Sequence, residues 1–324
     1  MKKNILITSL IIIFSMIFII VRHINQPISA ATHTIGILQT ASHPALDACR
    51  DGFIEELKNK MGDDIEFTIK NAQGSVAQAH TIAQQFHLNK QCNAFFVIAT
   101  PAAQAMSAVE KKKPIIISAV TDPHALGFIH PMTNVCGVTD MVDVKAEIKM
   151  LTQLVPQAKK VSLLYTSGET NSIALVKQMH QELKAHNLIP IDFAVSNEAD
   201  MHAMVDLACR KTDVILTPTD NTVAATIPVI TAITLKYKKP LIVSDNMLVK
   251  FGALAAQGIN YKDSGKCAAR IAYNVLVENK KPYNLPIEQP KNDEIFINEA
   301  TLNKLGLTVP KILQKHVILV KDVS

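Results

Sequence analysis

Glycine and histidine are scarce wherever chemistry would need them close together. The chain has 324 residues and eleven glycines, no two closer than six positions apart. Phosphate loops, the dinucleotide fingerprint and the nucleophile elbow need glycines about two to five apart, so all three are excluded. The closest histidines are also six apart (His124 and His130, His180 and His186), which denies a His-x-x-x-His helix face to a catalytic metal. His80 and His87 fit one helix face but have no carboxylate between them. The five cysteines (49, 92, 136, 209, 267) lie at least 43 residues apart, so no Cys-x-x-Cys pair exists for zinc or dithiol chemistry. Most are expected to be buried apolar filler. No metal and no cofactor is expected. Tryptophan is absent and there are only five tyrosines, so aromatic walls for a ligand are few.

An excess of one charge is missing too. Of 33 basic residues, Lys2, Lys3 and Arg22 fall within the first 31 positions with no acid among them, leaving 30 basic against 28 acidic side chains beyond. That near-balance argues against a nucleic-acid partner. With 48% apolar and 19% charged residues, the chain can pack cores and is long enough for two domains. One long apolar run is present: Ile5 to Val21, broken only by Thr8, Ser9 and Ser15, preceded by lysines and followed by Ser29-Ala30-Ala31. Residues 1–31 are therefore expected to be a signal peptide or an uncleaved N-terminal membrane anchor. The absence of a cysteine after the run argues against lipid attachment, so an exported, periplasmic protein is expected, either free or tethered to the inner membrane by residues 5–21.

The most informative feature is a self-match at an offset of 126. It places Ile35-Gly36-Ile37-Leu38 on Val161-Ser162-Leu163-Leu164, Glu56-Leu57-Lys58 on Glu182-Leu183-Lys184, and Ile65, Phe67 and Asn71 on Ile191, Phe193 and Asn197. After a nine-residue slip, Thr100-Pro101 aligns with Thr217-Pro218; register then returns, with Lys112-Lys113-Pro114 on Lys238-Lys239-Pro240. The common order of these matches marks a duplicated half-molecule. In each half, short β-branched runs (35–38, 65–69, 94–99, 115–119; then 161–165, 189–195, 213–216, 241–243) read as strands buried on both faces. Leu46, Cys49, Phe53 and Leu57 mark a helical stripe, and Ile173, Val176, Met179 and Leu183 its counterpart. Pro44, Pro101 and Pro218 suit first helical turns.

The fold class is therefore α/β: two doubly wound lobes with parallel sheets, joined by a hinge of several crossovers. Lobe 1 is expected over 32–140 plus about 252–282, and lobe 2 over 141–251 plus about 283–324. Ligands of such sheets lie beyond the carboxyl ends of the strands. The segments there are rich in hydroxyls and amides and nearly free of Lys and Arg, which disfavours a polyanion. A small zwitterion suits them: helix starts at Thr100 and Ser172 for a carboxylate, and Asp122, Asp220 or Asp245 for an ammonium.

These stretches resemble the periplasmic solute-binding proteins of ABC transporters, of the tryptophan-transporter-like family with the type I periplasmic-binding-protein fold. The resemblance is carried by Gln39 to Phe53 (QTASHPALDACRDGF), Asn71 to Gly74, Ile98 to Gln104 (IATPAAQ), Val120 to Pro123 (VTDP), Gly137 to Asp140 (GVTD), Gly168 to Ser172 (GETNS), Pro218 to Val223 (PTDNTV) and Gly252 to Ala255. It implies capture of a small molecule, an aromatic amino acid such as tryptophan or phenylalanine, by lobe closure, and delivery to a permease driven by a separate ATPase. The expected ligand residues are Thr40, Ser42, His43, Thr100, Thr121 and Asp122 in lobe 1. In lobe 2 they are Asn171, Ser172, Asp220, Asn221, Thr222 and Asp245, with Tyr165 as a stacking wall. No covalent chemistry is expected, since neither Ser42-His43 nor Asp220 with Ser244 has a third orienting group. The alternatives are a membrane-tethered periplasmic sensor or a binder of another small polar solute.

Overall fold

A computed structural model describes residues 33–258, 260–290 and 294–322, and in it the repeated strand–helix pattern folds twice. The expected signal or anchor segment lies outside the described residues. Among those described, no helix is long and apolar enough to cross a membrane.

The first half lays down β1 (His33–Gln39), α1 (Pro44–Met61), β2 (Ile65–Asn71), α2 (Val76–Leu88), β3 (Ala94–Ile98), α3 (Thr100–Val109), β4 (Ile115–Val120) and β5 (Val135–Thr139). The second half lays down α4 (Val144–Leu154), β6 (Lys160–Thr166), α5 (Thr170–Ala185), β7 (Ile189–Val195), α6 (Met201–Lys211), β8 (Val214–Thr217), α7 (Asn221–Ala225), α8 (Ile227–Lys236), β9 (Leu241–Val243) and β10 (Ala255–Gln257). Then come α9 (Tyr261–Leu276), β11 (Ile287–Glu288), β12 (Ile295–Asn298), α10 (Glu299–Lys304) and β13 (Val317–Val320). The sheet orders repeat: β2-β1-β3-β4-β5 in one lobe and β7-β6-β8-β9-β10 in the other, parallel throughout. β11 extends the first sheet; β12, antiparallel to β10, and β13 extend the second.

The apolar runs of the inner strands β1, β3, β4, β6, β8 and β9 are buried on both faces, as helices on both sides of a sheet require. The expected burial of 65–69 and 189–195 does not hold, because β2 and β7 are the sheet edges and leave Ile69 47% and Ile189 54% exposed. Along β3, Phe96 and Ile98 pack with α1 and α9, while Phe95 and Val97 face α2 and α3. The α1 stripe lies inward, with Phe53 stacked on Phe96 at 3.7 Å between ring centroids. In α5, Val176, Met179 and Leu183 are buried but Ile173 is 47% exposed. Helical geometry explains this, because Ser172 and Leu175 share the buried face and Ile173 points about 100° away from Ser172. Pro44 and Pro101 occupy first turns as expected, whereas Pro218 lies in the loop before α7 and Pro228 opens α8.

The expected lobe boundaries need two corrections. β10 pairs with β9, so residues 255–257 belong to the second lobe rather than the first. β11 pairs with β5, so residues 287–288 belong to the first rather than the second. Each sheet recruits strands beyond the repeat, and a run as short as Ala-Ala-Gln or Ile-Glu carries no signal of which sheet edge receives it. The chain crosses between lobes after Thr139, after Gln257 and after Glu288. Returning from the second crossing, α9 packs on α1 with almost no gap. An added Cβ at Gly265 would sit 2.0 Å from the Cys49 carbonyl oxygen, and one at Gly52 2.3 Å from that of Lys262. Only glycine permits this approach, and it fixes where Tyr261 enters the cleft.

Candidate functional site

In each lobe the strand order reverses at one point, between β1 and β3 and between β6 and β8, and the loops after those strands splay apart to leave a crevice. The two crevices face each other across two adjoining spaces. The inner one, about 20 Å³, lies between His43, Leu46, Ala99, Thr100, Ala119, Thr121, Asp140 and Tyr261 on one side and Asn171, Thr219, Asp220, Asn221, Ala224 and Asp245 on the other. The outer one, about 380 Å³, has Thr40, Ser42, Gln73, Val76 and Pro101 facing Thr166, Glu169, Asn197, Asn221, Thr222 and Ala225. Asn221 borders both.

Seven of the expected ligand residues (His43, Thr100, Thr121, Asn171, Asp220, Asn221, Asp245) meet at the inner space, and Thr40, Ser42 and Thr222 line the outer one. Three line neither space. Asp122 accepts the Ala125 N–H at 2.9 Å in a turn. Tyr165 packs on the core cluster containing Val161 and Leu163, because strand alternation puts all three on one face; it is not a wall of either space. Ser172 is fully buried beneath the site and donates to Asp220 at 2.7 Å. Sequence reasoning also missed four residues. Asp140 and Glu169 lie within the matching GVTD and GETNS stretches, and Thr219 adjoins Asp220, so all three were findable. Tyr261 carried no signal, since its place depends on the hinge.

Lobe 2 presents a cross-linked polar platform. Asp220 caps α7 through the Val223 N–H (2.9 Å) and also accepts from the Thr166 N–H (2.7 Å) and the Thr166 hydroxyl (2.8 Å). Glu169 accepts from the N–H groups of Asn221 and Thr222, from Asn221 Nδ2 (2.6 Å) and from Asn171 Nδ2 (3.1 Å). Burial, then the nearby Asp220 carboxylate, pushes the Glu169 pKa up. In lobe 1, Thr40 Oγ1 joins β3 to α3, donating to the Ile98 carbonyl and accepting from the Ala102 N–H. Ala99 and Ala119 hold φ of 76° and 56° as the chain leaves β3 and bends within β4, left-handed values uncommon outside glycine.

Hydrogen bonds cross the cleft from His43 to Asn221, Thr121 to Thr219 and Gln104 to Thr170, each at 3.3 Å. Tyr261 donates to Asp140 Oδ2 at 2.9 Å. Burial raises the Asp140 pKa, carries that of Asp245 up to about 7, and lowers that of His43. Four buried polar atoms on the inner walls have no partner: His43 Nδ1, Thr100 Oγ1, Asp140 Oδ1 and Asn171 Oδ1. Buried polar groups are normally paired, and these four atoms keep hydrogen-bonding capacity directed at the inner space. Among the described residues, no group of His, Cys, Asp and Glu is arranged to hold a metal ion.

The sequence model of the family described as ABC transporter substrate binding protein matches residues 34–320. A tyrosine-binding protein of Clostridioides difficile is 34% identical over 280 residues, 84% of this chain and 81% of that one. The structure of an ABC domain in complex with L-Trp from Streptococcus pneumoniae aligns with a TM-score of 0.84 at 28% identity, covering 89% of this chain and 99% of the other. A conserved domain protein of Vibrio cholerae gives 0.85 at 30% identity, with coverage of 90% and 100%. The ligand-free, open structure of a substrate-binding protein with adhesive properties from Clostridium difficile gives 0.67 at 31%, again covering 90% and 100%. The two repeated sheets, the crevice between them and these matches together establish that the chain belongs to the ABC transporter substrate-binding protein family, with the type I periplasmic-binding-protein fold.

Proposed function

We propose that the protein captures an aromatic amino acid between its lobes outside the inner membrane and presents it to a membrane permease worked by a separate ATPase. Polar strand ends from both lobes face one another across a single cleft with unpartnered groups on its inner walls, and this observation carries the reading. A 34% identical tyrosine-binding protein and the fit to an L-Trp complex support the ligand class. The chain aligns better with the L-Trp complex than with the ligand-free open protein, although it is slightly less identical to the former. That contrast supports a closed arrangement of the lobes here, in keeping with the three hydrogen bonds across the cleft. Val76, Pro101 and Ala225 offer the outer space apolar surface for a ring. Thr100 and the start of α3, whose capping position Ala99 has no side-chain acceptor, suit the carboxylate.

Binding both lobes at once is what shifts the hinge toward closure. A thermal-shift screen against the twenty amino acids tests the reading: a saturable rise with an aromatic one is expected. A shift with sugars, nucleosides or metals alone would reject the ligand. For location, we propose export to the periplasm through residues 1–31. The mass of the mature N-terminus distinguishes a released protein from one tethered by residues 5–21.

A further inference from the structure

Six non-glycine residues among those described have left-handed φ values. Four of them, Gln73, Asn187, Lys238 and Asn279, are exposed in a turn or shortly past a helix end, where such values are commonly met. The other two, Ala99 and Ala119, are 3% and 4% exposed, and both border the inner space. Ala99 has φ 76° and ψ 160°, a combination that is essentially glycine's alone. Its N–H donates to the Ser118 carbonyl at 3.0 Å and its carbonyl accepts the Ala103 N–H at 3.1 Å, so β4 and α3 pin it. Ala119 follows Ser118 where the pairing of β4 with β5 shifts register, and the Val120 carbonyl beyond it accepts the Thr139 hydroxyl and the Asp140 N–H.

Glycine would meet both backbone demands without strain. Alanine adds one methyl to glycine and nothing else, so the methyls are what the strain retains. Ala99 and Ala119 belong to one core cluster with Leu46 and Tyr261, and these four make the apolar part of the lobe 1 wall. The space they border is about 20 Å³, close to the room of one water. One further carbon in a space of that size must displace a wall. Resting on the cleft as the solute site, we propose that Ala99 and Ala119 are specificity-determining residues, whose methyls close the inner space to any ligand head carrying one carbon too many.

Calorimetry on the intact protein tests this with L-tryptophan, L-tyrosine and L-phenylalanine, the N-methyl and α-methyl forms of each, and the remaining amino acids. Each methylated form should bind at least about 100-fold more weakly than its parent. Ala99→Gly or Ala119→Gly opens the room of one methyl where the backbone already suits glycine. It should narrow that gap about 10-fold for at least one methylated form. Lys238→Gly relaxes a left-handed residue in an exposed turn that borders neither space and should leave the gap unchanged. In melts, the two alanine variants should stay within about 2 °C of the wild type or exceed it, while Ala103→Gly, inside α3, should fall by about 4–8 °C. A methylated form that binds the wild type as tightly as its parent, or a gap unchanged in both alanine variants, would overturn the size limit and leave the aromatic ligand standing. A loss of stability matching that of Ala103→Gly would overturn it too, because the methyls would then serve the core. If a non-aromatic amino acid binds instead, the aromatic reading falls and the gap is read on that acid's own methylated forms; if no amino acid binds, both fall.

Discussion

Lobe 1 and lobe 2 share a strand order but hold their cleft-facing polar groups differently. In lobe 2, Asp220 and Glu169 are each tied by four or more hydrogen bonds to α5, α7 and the loops between them. In lobe 1, Thr100 Oγ1, His43 Nδ1 and Asp140 Oδ1 face the inner space with no partner, against Asn171 Oδ1 alone in lobe 2. The duplicated scaffold has therefore diverged in its polar economy: one half is a pre-organised platform, and the other keeps contacts in reserve for closure. Pre-organisation limits the ordering cost on binding, while unsatisfied groups make closure depend on the guest.

The largest effect is expected from attacking the platform. Asp220→Ala strands the buried N–H groups of Thr166 and Val223 and the hydroxyls of Thr166 and Ser172. It should cost roughly 3 kcal/mol, a fall in Tm of about 6–12 °C in a melt. An unaltered Tm would erase the contrast between the lobes. Next comes the backbone contact that seats lobe 1. Gly265→Ala forces α9 away from Cys49 and should cost about 2 kcal/mol in denaturant unfolding, while Gly168→Ala, with open space around it, should be near neutral.

A smaller effect should appear with pH, and in lobe 2 above all. Burial lifts the pKa of Glu147, held by the Ser244 hydroxyl, to about 8, and that of Asp245 to about 7. The folded protein thus retains protons that the unfolded chain releases. This contribution is fully present below pH ~4.5 and is lost as pH rises toward 8. Melts between pH 5 and 8.5 should show Tm declining, and Glu147→Gln should lessen that decline by a few degrees, roughly 2–6 °C. Smallest in stability is Thr100→Val. The hydroxyl has no partner to lose, so Tm should move by less than about 2 °C, while ligand affinity falls about 3- to 10-fold by calorimetry. A matching loss in stability would show that Thr100 serves the fold rather than the guest.

Much of this was legible because strands buried on both faces leave an unmistakable run of apolar residues, and because duplication writes the same order twice. The polar loops after β1, β3, β4, β6, β8 and β9 could be located from those runs, which is why ten of the thirteen expected residues line the cleft. Tyr165 lies outside the cleft for a local reason: the sequence shows it near the end of a strand but not whether its side chain there turns onto the core or toward the cleft. Asp122 and Ser172 lie outside both spaces because a hydroxyl or carboxylate near a helix start serves a turn or a buried neighbour as readily as a ligand. Tyr261 was invisible, as it reaches the cleft only after the chain has crossed between lobes.

The amino-acid order alone determined the doubled α/β architecture, the strand ends where a guest is met and the lack of cationic side chains there, since periodicity and composition are local properties. Only the tertiary structure decided which sheet took β10 and β11, how closely α9 lies on α1, and which polar atoms were left without partners. Those depend on sheet-edge pairing, on close approach of backbones distant in sequence, and on a hydrogen-bond count that closes only when both lobes are in place.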